Sequence, residues 1–377
     1  MKFIVSSTTL LKNLQKISGV LSTNNTLPIL DDFLFELSEE TLSITASDLH
    51  TTMTVSVTPD KMEGPGIMAV PARILLDTLK TFPDIPVTFS LDTEELTVEI
   101  SAGEGNYKLP GHSSEEYPQV PEKEDVREVT LSSDLLANAV HKTIFATGND
   151  ELRPVMSGVL CEFSSENITF VATDAHKLVR YRRSDVTMED YSSFIIPKKP
   201  LNQLKSVLTF DQDTPVKVEF NQANAFFAFE NIKLVCRLVE GKYPNYEAVI
   251  PKDNTKELII DRLSFLNALK RVSIFANQST HQVRLRLSGQ ELYLSAEDVE
   301  FANEAKERLD CSYEGDELEI GFNSRFLHEM VSNLGTETIK MEMSEPNRAG
   351  IIFPVSENED NNHEHILMLV MPVMLNS

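Results

Sequence analysis

Two aspartates that each precede a histidine by two residues are the side chains of this sequence best placed for acid–base chemistry. These pairs are Asp174 with His176 and Asp48 with His50. A carboxylate that orients an imidazole is a common arrangement in general acid–base catalysis. The two pairs lie 126 residues apart, however, and a third copy of the pattern places Asp298 at the same point without a histidine after it. We therefore interpret these residues as aspartates that stabilise a turn by accepting backbone hydrogen bonds. A hydrolase or transferase that uses Asp174 and His176 is the alternative.

Other residue types that could support chemistry are too sparse to indicate a site. His363 and His365 are two residues apart, which is weak support for a metal site. Cys161, Cys236 and Cys311 are an odd number of widely spaced cysteines in apolar segments, so free thiols are expected and not a disulfide or zinc framework. The sequence has no glycine-rich phosphate loop and no nucleophile paired with a base. We expect no catalytic residue, no metal and no cofactor.

A threefold internal repeat organises the chain. Similar strand-and-helix segments begin at Phe3, Val129 and Leu258, at offsets of 126 and 129 residues. Further landmarks recur in the same order, namely the three aspartates above, a second helix that starts at Pro71, Pro197 or Asn323, and the pairs Tyr117-Pro118 and Tyr243-Pro244. Repetition at one period indicates homologous structural units. We expect three domains, at 1–125, 126–252 and 253–377.

The periodicity of each copy indicates an α+β fold with two helices packed on one face of mainly antiparallel sheet. Alternating polar and apolar residues indicate strands, as in Val216-Lys217-Val218-Glu219-Phe220. An apolar stripe from Leu10 to Leu21 indicates an amphipathic helix. The predicted helices span 6–21, 71–82, 132–148, 197–209, 261–277 and 323–334.

Charge is distributed unevenly between the predicted helices and the rest of the chain. The formal net charge of the chain is -24, yet the six predicted helices contain twelve basic and four acidic residues. Lys16, Lys142 and Arg271 occupy the same position of the first helix in each copy. For a single helix a solvated basic face would be the ordinary explanation. Six helices with the same bias favour a basic surface that faces nucleic acid, with acidic sheets elsewhere.

Two such chains would supply twelve helices, which is enough to surround a DNA duplex. Neighbouring helix axes about 10 Å apart give a circle roughly 38 Å across, and hence an opening of roughly 28 Å once the helix diameter is removed. No run of the sequence approaches the roughly 20 apolar residues that span a bilayer. The N-terminal residues show no signal peptide, so we expect a cytoplasmic protein that does not bind membranes.

Several strings of this sequence resemble one protein family over essentially the whole chain. They are MKF at 1–3, LPIL at 27–30, SDL at 47–49, VPAR at 70–73, VATDAHKL at 171–178, LVEGKYPNY at 238–246, IGFN at 320–323 and VMPV at 370–373. In this order they resemble the beta sliding clamps of bacterial DNA polymerase III. The resemblance implies a head-to-tail homodimeric ring around double-stranded DNA that tethers the replicative polymerase. It also implies loading by an ATP-driven clamp loader.

The resemblance further implies a groove that binds partner peptides rich in glutamine, leucine and phenylalanine. Carried over position by position, one part of the groove comprises Met156, Thr173, Ala175, His176, Lys177, Leu178, Pro244 and Val249. The other part comprises Asn323, Phe326, Leu369, Met371, Pro372 and Val373. The apolar members would form a deformable pocket for an aliphatic or aromatic anchor. Because Pro372 cannot donate a ladder hydrogen bond, we expect the last strand to lie at a sheet edge.

Four groove positions depart from the commoner family pattern and change the polarity of the groove more than its shape. Ala175 stands where glycine is frequent, Lys177 where arginine is frequent, Phe326 where tyrosine is frequent and Met374 where arginine is frequent. The preference of the groove for partner motifs is therefore left open.

Positions that correspond to DNA contacts in the family match the family pattern less well than the groove positions do. They are Asn24, Arg73, Asp150, Pro154, Val155 and Lys199. Arg73 is retained, whereas Asn24 replaces a basic residue, Asp150 a glutamine, and Pro154 with Val155 a pair of tyrosines. These residue types do not favour direct DNA contact by the loop 148–155. Lys16, Lys142 and Arg271 remain the candidates for weak, collective contact with phosphates.

The homodimer is expected to close between the first and third domains. Ile274 and Phe275 follow a basic helix without an internal reason for exposure, and we expect them to pack against the second chain. Acids such as Glu304 and Glu307 are expected to face basic groups there. An adaptor that binds peptides in the groove and never meets DNA is the remaining alternative.

Overall fold

The structure is a computed structural model that describes residues 1–22, 27–38, 40–208, 210, 213–355 and 363–375. It divides into two compact units. The first unit contains residues 1–137 and 196–238, and the second contains residues 138–195 and 239–377. The three divisions lie in the central repeat, one within a helix, one within a strand and one directly after another strand.

Within the ranges just given, six α-helices lie at the predicted places. They are α1 (Ser7–Ser18), α2 (Ala72–Thr81), α3 (Ser133–Thr143), α4 (Lys198–Val207), α5 (Arg262–Val272) and α6 (Ser324–Ser332). Each begins one residue after its predicted start, because the predicted first residue is the N-cap. Ser6 and Asp261 accept hydrogen bonds from the backbone N–H of Thr9 and Ser264, at 3.2 and 2.7 Å. The helices end earlier than predicted, and after α3 and α5 the chain continues as short 3₁₀ turns.

The 3₁₀ turns also shape the loops around the sheets. They span Pro28–Asp31, Ser114–Glu116, Ile144–Ala146, Pro154–Ser157, Tyr246–Val249 and Ser273–Phe275.

The first unit contains two antiparallel sheets. The smaller has the order β5-β1-β7-β8-β9, from β1 (Lys2–Ser6), β5 (Lys61–Glu63), β7 (Pro86–Asp92), β8 (Thr97–Ala102) and β9 (Gly105–Pro110). The larger has the order β10-β15-β16-β17-β4-β3-β2-β6. Its strands are β2 (Asp32–Leu37), β3 (Leu42–Ser47), β4 (Thr51–Val57), β6 (Gly66–Pro71), β10 (Arg127–Ser132), β15 (Pro215–Phe220), β16 (Asn224–Phe229) and β17 (Ile232–Arg237). In the core, the Phe3 ring stacks on that of Phe89 with 4.9 Å between centroids.

The second unit repeats this plan with one large and one small sheet. The large sheet has the order β14-β11-β12-β13-β26-β25-β24-β18-β22. Its strands are β11 (Gly158–Phe163), β12 (Ile168–Thr173), β13 (Lys177–Arg183), β14 (Ser192–Pro197), β18 (Lys256–Asp261), β22 (Ser312–Glu314), β24 (Thr338–Met343), β25 (Gly350–Val355) and β26 (Glu364–Val370). The small sheet has the order β21-β20-β19-β23-β27, from β19 (Gln282–Ser288), β20 (Glu291–Asp298), β21 (Asn303–Asp310), β23 (Leu318–Asn323) and β27 (Pro372–Val373).

The two compact units do not coincide with the three sequence repeats, and strand pairing explains why. In the first unit, β17 of the central repeat pairs with β4 of the first repeat. In the second unit, β13 of the central repeat pairs with β26 of the third repeat. Each half of the central repeat therefore shares a continuous sheet with a flanking repeat. The architecture is the expected α+β fold, with helices packed on mainly antiparallel sheets.

No helix in the described ranges combines the length and the apolar character needed to cross a membrane.

Candidate functional site

The groove expected from the sequence corresponds to a pocket of about 520 Å³ in the second unit. Nine of the fourteen expected groove residues line it, namely Met156, Thr173, Ala175, Lys177, Leu178, Pro244, Val249, Leu369 and Met371. Its floor is the pair Leu178 and Leu369, which lie opposite each other on β13 and β26. Both are buried, whereas Val249 and Met371 at the rim are 56% and 40% exposed. The pocket thus offers an apolar floor with a rim open to solvent.

Sequence reasoning missed further groove residues. Two of them lie within the string at 238–246 but had no assigned role, and the others lie outside the quoted strings. The missed residues are Asn245, Tyr246, Ala248, Ile250, Pro251, Asp253, Asn347, Arg348 and Ala349. Those from 245 to 253 follow the repeated Tyr243-Pro244 pair. Tyr246 and Ala349 join the buried cluster beneath the pocket with Leu178 and Leu369. The repeated Tyr-Pro pair was the only sequence feature near this wall, and it does not specify the 3₁₀ turn Tyr246–Val249 that forms it.

The other five expected residues lie beside the pocket and not in its lining. The ring of His176 stacks on that of Phe326 at a centroid distance of 6.1 Å. The backbone carbonyl of His176 accepts a hydrogen bond from the N–H of Met371 at 2.9 Å. Pro372 and Val373 form β27, which is an edge strand beside β23, as expected.

Asn323 is engaged at the start of α6. Its side-chain oxygen accepts from the backbone N–H of Arg325 at 3.0 Å, and its amide donates to the Thr280 carbonyl at 3.1 Å. Asn323 therefore stabilises the start of α6, the helix that carries Phe326.

Lys177 holds the groove against α6. Its side chain is only 6% exposed and is paired with Glu329, while Asp174 lies 3.7 Å away. The ammonium lies 4.9 Å from the centre of the Phe326 ring and 5.9 Å from that of Phe145. A buried ammonium that is paired with carboxylates and covered by aromatic faces fixes the position of both rings.

The Asp–His pairs stabilise turns, as the repeat indicated. Asp174 accepts hydrogen bonds from the backbone N–H groups of His176 and Lys177, both at 2.9 Å. Asp48 makes the equivalent bonds to His50 and Thr51, at 3.0 and 2.6 Å. These carboxylates are occupied by backbone donors.

The third copy follows the same rule. Asp298 accepts from the N–H of Glu300 at 3.1 Å. Within the described ranges no group of three or more histidine, cysteine, aspartate or glutamate residues could hold a metal ion.

The cysteines are free thiols. Cys161 and Cys236 are buried and Cys311 is half-buried. Burial raises the pKa of the Cys236 thiol to about 12 and that of Cys311 to about 11. These thiols remain protonated near neutral pH, which disfavours both metal binding and nucleophilic attack.

The expected DNA-facing cations differ in how strongly they are engaged. Lys142 is 16% exposed and bound to Glu364 at 2.5 Å, with its ammonium 5.5 Å from the Tyr181 ring centre. Arg271 is 60% exposed but forms two hydrogen bonds to Glu307, at 2.8 and 2.7 Å. Lys142 and Arg271 are thus compensated by carboxylates within the chain. Although they share a sequence position with Lys16, the three cations do not have equal access to a ligand.

Seven of the twelve helix cations are exposed, and they lie away from the buried faces of their helices. They are Lys12, Arg73, Lys80, Lys199, Lys270, Arg271 and Arg325. Lys199 contacts the Asp48 carboxylate at 2.5 Å and the Val20 carbonyl at 3.0 Å. Arg73 lines a pocket on α2 together with Ile74 and Tyr107.

The loop 148–155 is largely exposed, and its charged residues Asp150 and Arg153 bind each other. The guanidinium of Arg153 binds Asp150 at 2.8 Å and holds the pKa of that carboxyl below its usual range. Pro154 begins a 3₁₀ turn, and Val155 packs against the apolar cluster beneath the groove. Leu152 is the one strongly exposed apolar residue of this described loop, at 91%. Asn24 lies outside the described residues.

The residues expected at a dimer contact are exposed. Ile274 is 76% exposed and Phe275 is 40% exposed, whereas Ala146, the equivalent of Phe275 in the central repeat, is 0% exposed. Glu307 is held by Arg271, so Glu304 is the freer of the two expected acids.

Comparison with known proteins assigns all three repeats to one family. The models for the N-terminal, central and C-terminal domains of the DNA polymerase III beta subunit match residues 1–121, 130–245 and 247–372. The beta sliding clamp of Pseudomonas putida is 30% identical over 377 residues, which is the full length of both chains. That of Bacillus subtilis is 26% identical and covers 99% of both chains.

Solved structures agree over the full length. The sliding clamp of Pseudomonas aeruginosa bound to griselimycin superposes with a TM-score of 0.93 at 29% identity. The clamp of Bacillus subtilis gives a TM-score of 0.92 at 25% identity. Both comparisons cover 100% of each chain.

Proposed function

The chain belongs to the family of DNA polymerase III beta subunits, the beta sliding clamps, and from this premise we propose how it closes around DNA and recruits its partners. As a member of that family it is a processivity factor of DNA replication and not an enzyme. We place it in the cytoplasm, with double-stranded DNA held by topology and without sequence preference. We assign its domains to 1–125, 126–252 and 253–377, boundaries supported by the three model matches.

The ring proposal rests on a junction, a pairing of edge strands that joins neighbouring repeats. This pairing occurs twice within the chain, whereas a threefold repeat closed into a dimeric ring needs it once more, between two chains. Each large sheet consists of two half-sheets, one from the central repeat and one from a flanking repeat. The half-sheets join where their outer strands pair, β17 with β4 and β13 with β26. The registers are equivalent, since Thr51 opposes Cys236 and Lys177 opposes Val370. In the described part of the chain, β9 and β21 are the outer strands in the corresponding position of the two remaining half-sheets, and neither is paired on that side. Pairing of β21 with β9 of a second chain would complete the set and close a head-to-tail dimer.

The repeat also predicts the register of this third junction. Asn303 is equivalent to Thr51, and Leu109 is equivalent to Cys236. Pairing Asn303 with Leu109 places Glu304 directly opposite Lys108 of the second chain. Opposite charges at facing positions of antiparallel strands attract. Charge complementarity therefore supports this register.

The apolar side chains beside the open edges are complementary as well. In the second unit Phe145 and Phe326 share the Lys177 ammonium. Their equivalents at the proposed dimer contact are Ile274 of one chain and Ile74 of the other. Ile74 is 49% exposed and lines, with Tyr107, a pocket of about 530 Å³. We propose that Ile274 and Phe275 enter this pocket of the second chain.

Charge reversal at the proposed junction tests the dimer. Glu304→Lys should weaken the dimer, because it places two ammonium groups opposite each other on paired strands. Lys108→Glu combined with Glu304→Lys should restore it, since the attraction returns with the charges exchanged. Light scattering with size-exclusion chromatography would give the mass of each variant across a dilution series.

A matched control is Lys306→Glu, a charge reversal on the same strand at a position that the register places opposite Asn106. If Glu304→Lys left the dimer mass unchanged on dilution, or if Lys108→Glu failed to rescue it, the register would be wrong. Ile274→Asp with Phe275→Asp should produce monomers. A dimer in that variant would exclude the proposed pocket contact.

For the groove, we propose that it binds the clamp-binding peptides of the polymerase, the clamp loader and other partners. Burial of one large apolar anchor on the floor formed by Leu178 and Leu369 would contribute about 1.5 to 3 kcal/mol. Met156, Val249 and Met371 would adjust to different anchors because they are flexible or lie at the rim. His176 and Asn323 would contribute less, as polar groups beside the pocket.

Removal of residues 371–377 tests the groove directly. The truncated chain loses Met371 and the edge strand β27, so it should lose binding of a fluorescent peptide that contains glutamine, leucine and phenylalanine. Its dimer should persist, since β9 and β21 are untouched. His176→Ala should weaken the same peptide less than the truncation does. Normal peptide affinity in the truncated dimer would refute this groove assignment.

A further inference from the structure

A second pocket follows the groove along the same two strands. It has a volume of about 510 Å³ and is lined by residues of β13, β25 and β26. Side chains two apart on a strand share a face, so Leu178, Arg180 and Arg182 project to the same side of β13. Leu369, Leu367 and His365 lie opposite them on β26. The pocket therefore begins one side-chain row beyond the groove floor, roughly 7 Å along the strands.

The chemistry of this row differs from that of the groove. The guanidinium groups of Arg180 and Arg182 both contact one oxygen of Glu247, at 2.8 and 3.1 Å. Arg182 also donates to the Thr169 hydroxyl at 3.0 Å. The side chains of Arg180 and Arg182 are 17% and 30% exposed, and Leu367 beside them is buried. Two guanidinium groups are thus held in place on a partly apolar floor.

The pocket lining includes one acidic residue, Glu364, whose carboxylate is bound to Lys142 at 2.5 Å. The charge of the two arginines is therefore compensated by Glu247 alone among the ion pairs of the described residues, and the Glu247 side chain is 48% exposed. The Nε atom of Arg180 is buried and has no hydrogen-bond partner in the same described part of the chain. Among the same ion pairs of the described residues, neither arginine has a second carboxylate partner. Such a pair is complementary to a further carboxylate.

We propose that the pocket formed by Arg180, Arg182, Phe353, His365 and Leu367 extends the groove and binds an acidic side chain that flanks the apolar anchor of a partner peptide. This rests on the proposed peptide groove. The wall between the two pockets is the turn Tyr246–Val249, in which Tyr246 lines the groove and Glu247 binds the arginines. The peptide carboxylate joins or displaces Glu247, and the guanidinium groups keep an anionic partner in both states.

Two fluorescent peptides test the extension. The neutral probe carries the glutamine, leucine and phenylalanine anchor with two asparagines at each end, and the acidic probe carries two aspartates at each end. The acidic probe should bind the full chain about fivefold more tightly than the neutral probe, as expected for a partly exposed ion pair. The advantage should shrink at high salt, because screening weakens such pairs.

Three variants separate this pocket from general electrostatics. Arg180→Gln with Arg182→Gln should abolish the preference, so that the acidic probe binds no more tightly than the neutral probe. Glu247→Gln should increase the preference, because it removes the competing carboxylate. Arg286→Gln is the matched control, since Arg286 is an exposed arginine paired with Glu317 elsewhere in the second unit, and it should not change the preference.

The failure of this inference and that of the groove can be told apart. If neither probe bound the full chain, the groove itself would be refuted. If both probes bound equally, or if Arg286→Gln removed the preference as effectively as the arginine pair, only the extension would be refuted. A short unlabelled DNA duplex provides the last test. If it displaced the acidic probe from the full chain but not from the arginine variant, the pocket would be assigned to phosphate and the peptide proposal would be overturned.

Discussion

At the scale of single residues, the turn before β13 shows how an internal repeat can distinguish a structural aspartate from a catalytic one. Asp174 and His176 could form a catalytic pair in isolation, but one carboxylate oxygen of Asp174 accepts two backbone N–H groups and the other lies 3.7 Å from the Lys177 ammonium. The equivalent bonds of Asp48 show that the turn, and not a reaction, requires the carboxylate. The sequence could predict this because the motif recurs. It could not predict that Lys142 would be neutralised by Glu364, since the two lie 222 residues apart.

Ala175 in the same turn offers a test of local strain. Its φ of 76° lies in the left-handed region, where a Cβ atom is unfavourable, and Leu49 has the same angle in the first repeat. Ala175→Gly should therefore raise the free energy of unfolding by up to about 1 kcal/mol, with the greater entropy of the unfolded glycine chain reducing the gain. Urea denaturation would measure the change.

The control for this variant is Ala228→Gly, within β16. Glycine in a strand interior should lower stability by roughly 0.5–1 kcal/mol. Equal destabilisation by both substitutions would show that the turn before β13 carries no relievable strain.

At the scale of elements, helix positions follow from the sequence and strand partners do not. The N-caps Ser6, Asp261 and Asn323 mark where helices begin, and apolar stripes mark the buried faces. The pairing of β17 with β4 joins segments that are distant in the chain, and no local pattern specifies it. The wall of the groove was missed for the same reason, since it is a short 3₁₀ turn brought to β13 by tertiary contacts.

The repeated junction predicts a weaker point where the second chain attaches. At both junctions within the chain, one further N–H extends the ladder: Arg237 donates to His50 at 2.8 Å and Met371 to His176 at 2.9 Å. The equivalent residue after Leu109 is Pro110, which has no N–H. Pro110→Ala should supply the missing donor and strengthen the dimer by about 0.5–1.5 kcal/mol per junction.

Subunit exchange between differently labelled dimers would measure this effect. Slower exchange of Pro110→Ala is expected, whereas Pro86→Ala, at the start of β7 and away from both open edges, should exchange at the original rate. Unchanged or faster exchange of Pro110→Ala would contradict the proposed register.

At the scale of the whole molecule, the charge pattern is consistent with a protein that holds DNA without gripping it. Exposed helix cations such as Lys12, Lys80 and Lys270 stand against a chain whose total is strongly acidic. Exposed charges act over roughly 8 Å at physiological salt, so they would contribute weak, collective contact with phosphates. Retention would then come from closure of the dimer and not from affinity. The net charge of -24 alone would argue against a nucleic-acid partner. Only the concentration of basic residues in the helices indicates one.

The most direct test of the central claim is retention on closed and on cut DNA. The labelled chain would be loaded onto a nicked circular plasmid by the clamp loader of its own source, freed of unbound protein by gel filtration, and then treated with an enzyme that cuts the plasmid once. We expect the chain to stay with the circle at moderate salt and to leave within minutes of linearisation, because it can slide off a free end. Equal retention on circular and linear DNA, or loss from both before cutting, would contradict the account of a topologically closed ring.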